Sequence, residues 1–389
     1  MRYIIYVFIL LCNLIHAQPL RVGLFRASEL SKLSLLNSTR ELLVETGTIS
    51  FNFWDKQDFV ITASGNEVFL DAGFQRIGKF KSLKFSTLHN QTLTIDCIHP
   101  DLKELSFNGR IEITATSGYL NLINVVDEES YLAGVLKGEA GKNKPQSFYE
   151  TMAIVSRTYL KFYNGRHKKE GFSICDQTHC QVYKGHTIYQ PWIDAISSTD
   201  GIVLKNYNLD GYAEAVFHSN CGGLTASAKS VWKNDISICE VTTDSFCMNG
   251  RYANWNKHIS MSKFKSTIGF TNQEIDQDSI CRMIEFCHSG ERPDEIILGK
   301  KSFSAVKMRS LFSLRSAWFD IECDKDSVVF SGKGYGHGVG LCQEGAIGMA
   351  KNNKSFTEIL SYYFKQAAIV NEKYNIVLYR RAKEIDFRP

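Results

Sequence analysis

Over residues 20–124, apolar and polar side chains largely alternate in short runs separated by Gly, Asn and Asp. The runs at 20–25, 48–53, 59–62, 67–70, 92–97 and 109–116 are rich in β-branched and aromatic residues, the pattern of half-buried strands. At Asp127 the rhythm changes. Over 128–136 and 147–163 apolar residues recur three and four apart, as in Phe148, Met152, Val155, Tyr159 and Phe162, which predicts two helices. Strand-like runs return at 201–205 and 211–219, before a stretch rich in Cys and Trp and a helical pattern starting near Phe264. A strand at 327–331 leads into a Gly-rich loop, and helices are predicted over 342–351 and 356–364. No repeat or low-complexity linker divides the chain, so the pattern as a whole predicts an α+β fold.

The N-terminus adds a destination. Arg2, an apolar run from Tyr3 to Cys12 and a short polar stretch ending Ile15-His16-Ala17 have the order of a secretory signal peptide, cleaved after Ala17. The apolar run is about half the roughly twenty residues needed to span a bilayer. Leu11 stands where a small residue should precede a lipidated Cys12. The expectation is an exported protein, periplasmic, in the cell envelope or extracellular, with no stable membrane anchor after cleavage. The chain then divides into 1–17 signal peptide, 18–124 β-rich N-terminal part, 125–370 mixed region and 371–389 C-terminal tail.

A hydrophobic content of 44% with 25 Phe allows a sizeable core, and a net charge of +4 over 389 residues gives no basis for nucleic-acid binding. Ten Cys remain after Cys12, and in an oxidising compartment disulfides are the default reading. The spacings Cys239/Cys247 and Cys281/Cys287 suit short-loop pairs.

Three groups of residues carry candidate chemistry. Glu139 sits among Gly138, Ala140 and Gly141, small neighbours that let a large substrate approach; a glutamic acid kept protonated by burial is what protonating a glycosidic oxygen requires. It could equally cap the following helix. Cys175, His179 and Cys180, with His167 upstream and His186 downstream, have zinc-ligand types, although a Cys175–Cys180 disulfide uses the same pair. His218 and Cys221 admit a thiol nucleophile with a His partner, or a tight turn at Gly222-Gly223. Gly334, Gly336, Gly338 and Gly340 look like a phosphate loop, but the Lys and Ser/Thr that should follow are missing, which speaks against nucleotide binding.

Four segments, in this order, resemble the SpoIID/LytB family. They are Asn124-Val-Val-Asp-Glu-Glu-Ser-Tyr-Leu-Ala-Gly-Val-Leu-Lys-Gly-Glu139 with Ala153-Ile-Val-Ser-Arg-Thr-Tyr-Leu160; Cys175-Asp-Gln-Thr-His-Cys-Gln-Val-Tyr-Lys-Gly185; His218-Ser-Asn-Cys-Gly-Gly-Leu-Thr225; and Gly334-Tyr-Gly-His-Gly-Val-Gly-Leu-Cys-Gln-Glu-Gly-Ala346. The last motif usually carries Met-Ser before Gln, where this chain has Leu341-Cys342.

The resemblance implies a SpoIID-like fold, with the β-rich part joined to a catalytic region at 125–370, and a peptidoglycan lytic transglycosylase. Such an enzyme cuts the MurNAc-GlcNAc bonds of peptide-stripped glycan strands and leaves 1,6-anhydro-MurNAc. Glu139 matches the family's general acid/base. A transglycosylase uses the sugar's own 6-hydroxyl instead of water, so the lack of an evident partner for Glu139 among Asp127, Glu128 and Glu129 is no obstacle. The resemblance also implies a structural zinc at Cys175, Cys180, His179 and His167. His218, Ser219, Asn220, Arg315, Ser316, Tyr335, His337 and Gln343 are expected to bind the glycan. The alternative within the family is a non-catalytic wall-binding protein that enhances an N-acetylmuramoyl-L-alanine amidase, which would make a cell-wall amidase a partner.

Overall fold

The computed structural model describes residues 19–36, 41–54, 56–87, 91–236, 238–270, 277–285, 292–324 and 326–381. The signal-peptide segment, Cys12 and Cys287 lie outside them. The fold is α+β, as the pattern predicts, and the described residues form two compact units, one within Met1–Tyr131 and Lys168–Ser173 and the other within Leu132–His167 and Ile174–Pro389.

The described residues of the first unit hold the strands β1 (Leu20–Leu24), β2 (Lys32–Leu36), β3 (Leu42–Glu45), β4 (Ser50–Phe53), β5 (Asp58–Ser64), β6 (Glu67–Ala72), β7 (Gln75–Phe80), β8 (Ser82–Thr87), β9 (Leu93–His99), β10 (Leu102–Phe107), β11 (Arg110–Thr116) and β12 (Tyr119–Val126). One sheet contains the run β1-β12-β11-β8-β3-β4 and the other is β10-β9-β2-β5-β6-β7. Their inward residues alternate along each strand: Leu33 and Leu35, Phe59 and Ile61, Val68 and Leu70, Leu83 and Phe85, Ile111 and Ile113 are fully buried. Each such side chain contributes about 1.5–3 kcal/mol by leaving water. Strand β7 was not legible in the pattern. It is mostly exposed and forms because it pairs with β6.

Helix α1 (Glu128–Glu139) starts where the Asp127 carboxylate accepts the Ser130 N–H at 2.8 Å, an N-cap, and ends on Glu139. In the second unit α2 (Gln146–Tyr163) is buried from Phe148 to Leu160 except at Glu150. It is a core helix more than a surface one, so its mid-helix polar groups need partners. Thr158 Oγ1 donates to the Ile154 carbonyl at 2.7 Å and accepts the Leu204 N–H at 2.9 Å.

The remaining elements of this unit follow in chain order: β13 (Ile174–Cys175), α3 (Gln190–Ser198), β14 (Ile202–Asn206), β15 (Phe217–His218), α4 (Ala228–Trp232), β16 (Asn254–Ser260), α5 (Met261–Ile268), α6 (Gln277–Glu285), β17 (Glu295–Leu298), β18 (Lys301–Ser304), α7 (Ala305–Leu311), β19 (Phe319–Asp324), β20 (Ser327–Lys333), β21 (Leu341–Cys342), α8 (Gln343–Lys351), α9 (Phe356–Tyr363), β22 (Ala367–Asn371) and β23 (Ile376–Tyr379). The strand expected over 211–219 shrinks to the two residues of β15, which pair in parallel with β21.

A separate core gathers α5, α6, α7 and the sheet β16-β20-β19 around Phe264, Met308, Phe312 and Phe330. Cys281 on α6 is bonded there to Cys323 on β19. This corrects the expected short-loop pairs: Cys281 reaches across 42 positions to Cys323, and Cys239 and Cys247 are both free thiols. Local spacing failed because packing of a helix on a sheet, not chain proximity, brings the sulfurs together. Replacing Cys281 and Cys323 together by Ala should cost about 2–4 kcal/mol by freeing the denatured chain. That is roughly 4–16 °C in Tm. A calorimetric melt that did not move would show the crosslink to be energetically idle.

Candidate functional site

The second unit contains a cleft of about 870 Å³, and Glu139 lines it. Helix α1 delivers this residue at its last position, where the chain must turn. Its Oε1 accepts the Val182 N–H at 2.8 Å, and its backbone carbonyl accepts from Gln343 Nε2 at 3.3 Å. Burial raises the carboxyl above the usual range for Glu, against the opposing pull of the Val182 N–H and the Lys184 charge. Desolvation is therefore the dominant effect, and it favours the proton-bearing form. Gly138 makes the approach possible. A Cβ there would stand 2.2 Å from the Val182 carbonyl oxygen, so any side chain would push away the segment that holds Glu139.

The same segment carries the Cys and His cluster. His167, Cys175, His179 and Cys180 each offer a ligand atom, and all four lie within 4.8 Å of one another. Cys180 Sγ is 3.4 Å from His167 Nε2 and 3.7 Å from His179 Nδ1, and Cys175 Sγ is 3.9 Å from His179 Nδ1. Tetrahedral zinc, with bonds of about 2.3 Å to sulfur and 2.0–2.1 Å to nitrogen, separates S and N by about 3.6 Å. The donor set and spacing fit. Both Cys are free thiols, and His186 stands outside the group, with its carbonyl accepting from Lys137 Nζ at 2.7 Å. The Tyr159 hydroxyl and Arg166 Nη1 both donate to the His179 carbonyl, tying this loop to α2 and the turn after it.

Pairing of β15 with β21 joins the 218–225 and 334–346 segments. Asn220 and Tyr335 exchange backbone hydrogen bonds at 3.0 and 2.8 Å. The glycines of the second segment are required by this contact. Gly334 and Gly340 have φ of 77° and 70°, and a Cβ would meet the Asn220 oxygen at 2.6 Å and the Val216 oxygen at 2.3 Å respectively.

The Val339 peptide fixes both imidazoles here. Its carbonyl accepts from His218 Nδ1 at 3.0 Å and its N–H donates to His337 Nδ1 at 3.1 Å. His337 Nε2 then donates to the Phe217 carbonyl at 2.8 Å, and burial pushes this group down to about 4. Both nitrogens of His337 are committed to backbone, so neither is left for a ligand; the Trp232 ring lies 4.9 Å from its ring. His218 is different. Its Nε2 is a buried acceptor with no hydrogen-bond partner among the described residues.

Of the residues assigned from sequence, Glu139, His218, Ser219, Tyr335, His337, Gln343, His179 and Cys180 line the cleft. The rest are placed elsewhere. Asn220 is 1% exposed and fully engaged: Nδ2 donates to the Cys247 carbonyl and Glu344, and Oδ1 accepts the Gly222 N–H. It therefore locks two loops and does not reach for a ligand. Ser316 is likewise buried, donating to the Lys333 carbonyl at 2.6 Å. Arg315 lies over the rings of Tyr252 and Tyr335 and is not part of the cleft lining. Cys221 is buried against Cys247 and Asp244, and His218 is committed to Val339, so the thiol-nucleophile arrangement does not form.

The sequence reading passed over Tyr159, Tyr163, Arg166, Glu214 and Arg309, all of which line the cleft. The two tyrosines sit in a run whose helical periodicity marks them as core. Glu214 is the second carboxylate of the cleft and accepts a hydrogen bond from the Tyr163 hydroxyl. No local pattern distinguishes it from a surface Glu.

A family model described as "Stage II sporulation protein" matches residues 116–206, which include α1, α2 and the Cys175–Cys180 loop. An uncharacterized protein of Brachyspira hyodysenteriae is 26% identical over 278 residues, covering 69% of this chain and 74% of the relative. Stage II sporulation protein D of Bacillus subtilis is 26% identical over 257 residues, 62% of this chain and 74% of the relative. The amidase enhancer of Bacillus subtilis is 24% identical over 285 residues, 60% of this chain and 39% of its own length.

Proposed function

Because the chain belongs to the SpoIID/LytB family, we propose that it is an exported peptidoglycan lytic transglycosylase with Glu139 as its single general acid/base. The observation that carries this reading is a desolvated glutamic acid in the wall of an 870 Å³ cleft. The cleft also presents Tyr335 and Trp232 for stacking.

In the first half of the reaction Glu139 gives its proton to the oxygen between MurNAc C1 and GlcNAc. The C1–O bond breaks, and GlcNAc leaves with a free hydroxyl. The Glu139 carboxylate then takes the proton of the MurNAc 6-hydroxyl as that oxygen bonds to C1, closing the 1,6-anhydro ring and restoring the acid. No water is consumed. The Val182 N–H holds the carboxylate in place for its turn as base.

His167, Cys175, His179 and Cys180 would hold zinc in a structural role, since four protein ligands leave no open position. The loop they close runs directly into Val182, so ordering it fixes the group that orients Glu139. Cys180→Ser should therefore lower both zinc content and turnover, the latter about 10–100-fold. Metal analysis beside a turnover assay checks this; a zinc-free variant of full activity would detach the cluster from catalysis. Export is supported by the Cys281–Cys323 disulfide, a bond favoured in oxidising compartments. No helix of the described residues is long and apolar enough to cross a membrane.

The test is mass spectrometry of peptide-stripped glycan strands after incubation with the mature protein, zinc supplied. Anhydro-MurNAc ends support the reading. Intact strands that still bind the protein would overturn it and favour a wall-binding partner of an amidase, the role that fits the likeness to the amidase enhancer.

A further inference from the structure

A second group of metal-type side chains lies in the same unit, outside the cleft lining. Cys221, Asp244, Cys247 and Cys342 are all buried, and their ligand atoms lie within 4.8 Å of one another. We infer that these four residues form a second tetrahedral site for a thiophilic divalent cation, zinc by preference, that ties the 218–225 and 334–346 segments together from behind the cleft.

The spacing is that of ligands around one ion. Cys221 Sγ is 3.4 Å from Cys247 Sγ and 3.3 Å from Asp244 Oδ2. Zinc bonds of about 2.3 Å to sulfur and 2.0–2.2 Å to oxygen set tetrahedral edges near 3.8 and 3.5 Å. The surroundings are built for thiolates. Cys342 Sγ receives the N–H groups of Cys221 at 3.3 Å and Gly345 at 3.4 Å. Such N–H donors are the outer shell that thiolate ligands need, and a plain apolar thiol core has no use for them.

The carboxylate is oriented in the same way. Asp244 Oδ1 accepts the Phe246 N–H and Oδ2 accepts the Tyr363 hydroxyl at 2.8 Å. Gly345 leaves the room this takes, since a Cβ there would fall 2.1 Å from both Asp244 Oδ2 and the Tyr363 oxygen. Three thiolates and a carboxylate outweigh a divalent ion. The excess negative charge faces the N-terminus of α8, capped by Cys342 itself, and lies near half-buried Arg292, which donates to the Cys221 and Leu224 carbonyls.

The composition of the cluster also sets it apart from the other cysteines. Cys97 and Cys239 are buried singly. Here three thiols from segments up to 121 positions apart converge with an acid. Their closure would clamp the loop of His218 to the loop of His337 and Gln343.

The experiment is metal analysis of the full mature chain after zinc loading and removal of unbound ion. Wild type should hold two equivalents, and Cys342→Ser one. Serine is a good helix N-cap and can accept the Gly345 N–H, so this variant keeps the start of α8. Cys175→Ser with Cys180→Ser empties the other cluster; loaded with cobalt, that protein should still show thiolate-to-cobalt charge-transfer absorption, lost when Cys342→Ser is added. A zinc content that Cys342→Ser does not lower, no such absorption in the double variant, or a disulfide among Cys221, Cys247 and Cys342 in non-reduced peptide maps would each overturn the inference. These readouts are independent of glycan cleavage, so they stand or fall apart from the role of Glu139.

Discussion

Glu139→Gln should abolish the release of anhydro-MurNAc, slowing turnover by about 10²–10⁴-fold, the usual worth of a positioned acid/base. Gln keeps the shape and can still accept the Val182 N–H, so binding to glycan should survive while chemistry does not. The pH dependence gives the claim a second edge. Burial raises the Glu139 carboxyl above the ordinary value, so the acid form persists to higher pH than in a free Glu, and turnover should fall as pH rises through the folded-state value. Stability follows the same linkage. A carboxyl whose folded value is raised favours the fold fully below its unfolded value of about 4.3, and that contribution is lost as pH rises through the folded value. The Gln variant carries no such charge. Its Tm should therefore exceed that of wild type at neutral pH, with the gap narrowing as pH drops. Retained turnover, or a lower Tm at neutral pH, would contradict a desolvated acid.

The largest loss of stability is expected from Arg157→Ala. Arg157 is 1% exposed in the middle of α2. Its Nη1 donates to the carbonyls of Thr199 at 2.8 Å and Ile202 at 3.2 Å, and its Nη2 to the carbonyl of Ile196 at 3.2 Å. One guanidinium thus closes the C-terminus of α3 and the entry to β14. Truncation to Ala leaves three carbonyls short of a donor in a buried site and opens a void. The combined cost should be about 3–5 kcal/mol, as for other broken buried charge networks. For a protein of this size that lowers Tm by roughly 6–20 °C. Lysine should recover little, because a single ammonium cannot serve a fork-shaped set of acceptors. A thermal melt decides it; an Ala variant within about 1 kcal/mol of wild type would mean that water replaces the guanidinium.

Arg157 and Glu139 also show how differently residues announce themselves. The helical period over 147–163 places Arg157 within a core helix, yet nothing in that period says which carbonyls it serves. Glu139 stands out by its small neighbours and by the family resemblance. Residues that act through long-range packing gave no such sign: Glu214 reads as a strand residue, and Cys221, Cys247 and Cys342 read as members of three separate local patterns until the chain is folded. Two of the residues expected to bind the glycan are engaged otherwise for the same reason. Asn220 and Ser316 have the chemistry of sugar ligands, but the folded chain uses them to close loops.

The sequence by itself determined the α+β class, the positions of α1 and α2, and the convergence of interest on Glu139 and on the Cys175–Cys180 loop. Periodicity and side-chain type are local properties, and a helix or an alternating strand needs little else. Tertiary structure alone decided which groups remain free to act. Pairing of β15 with β21 tied both ring nitrogens of His337 to backbone and left the buried His218 Nε2 without a partner among the described residues, and packing of α6 on β19 chose the partner of Cys281. Those outcomes depend on contacts between positions tens to hundreds of residues apart, and no local pattern encodes which of many chemically equal candidates will meet.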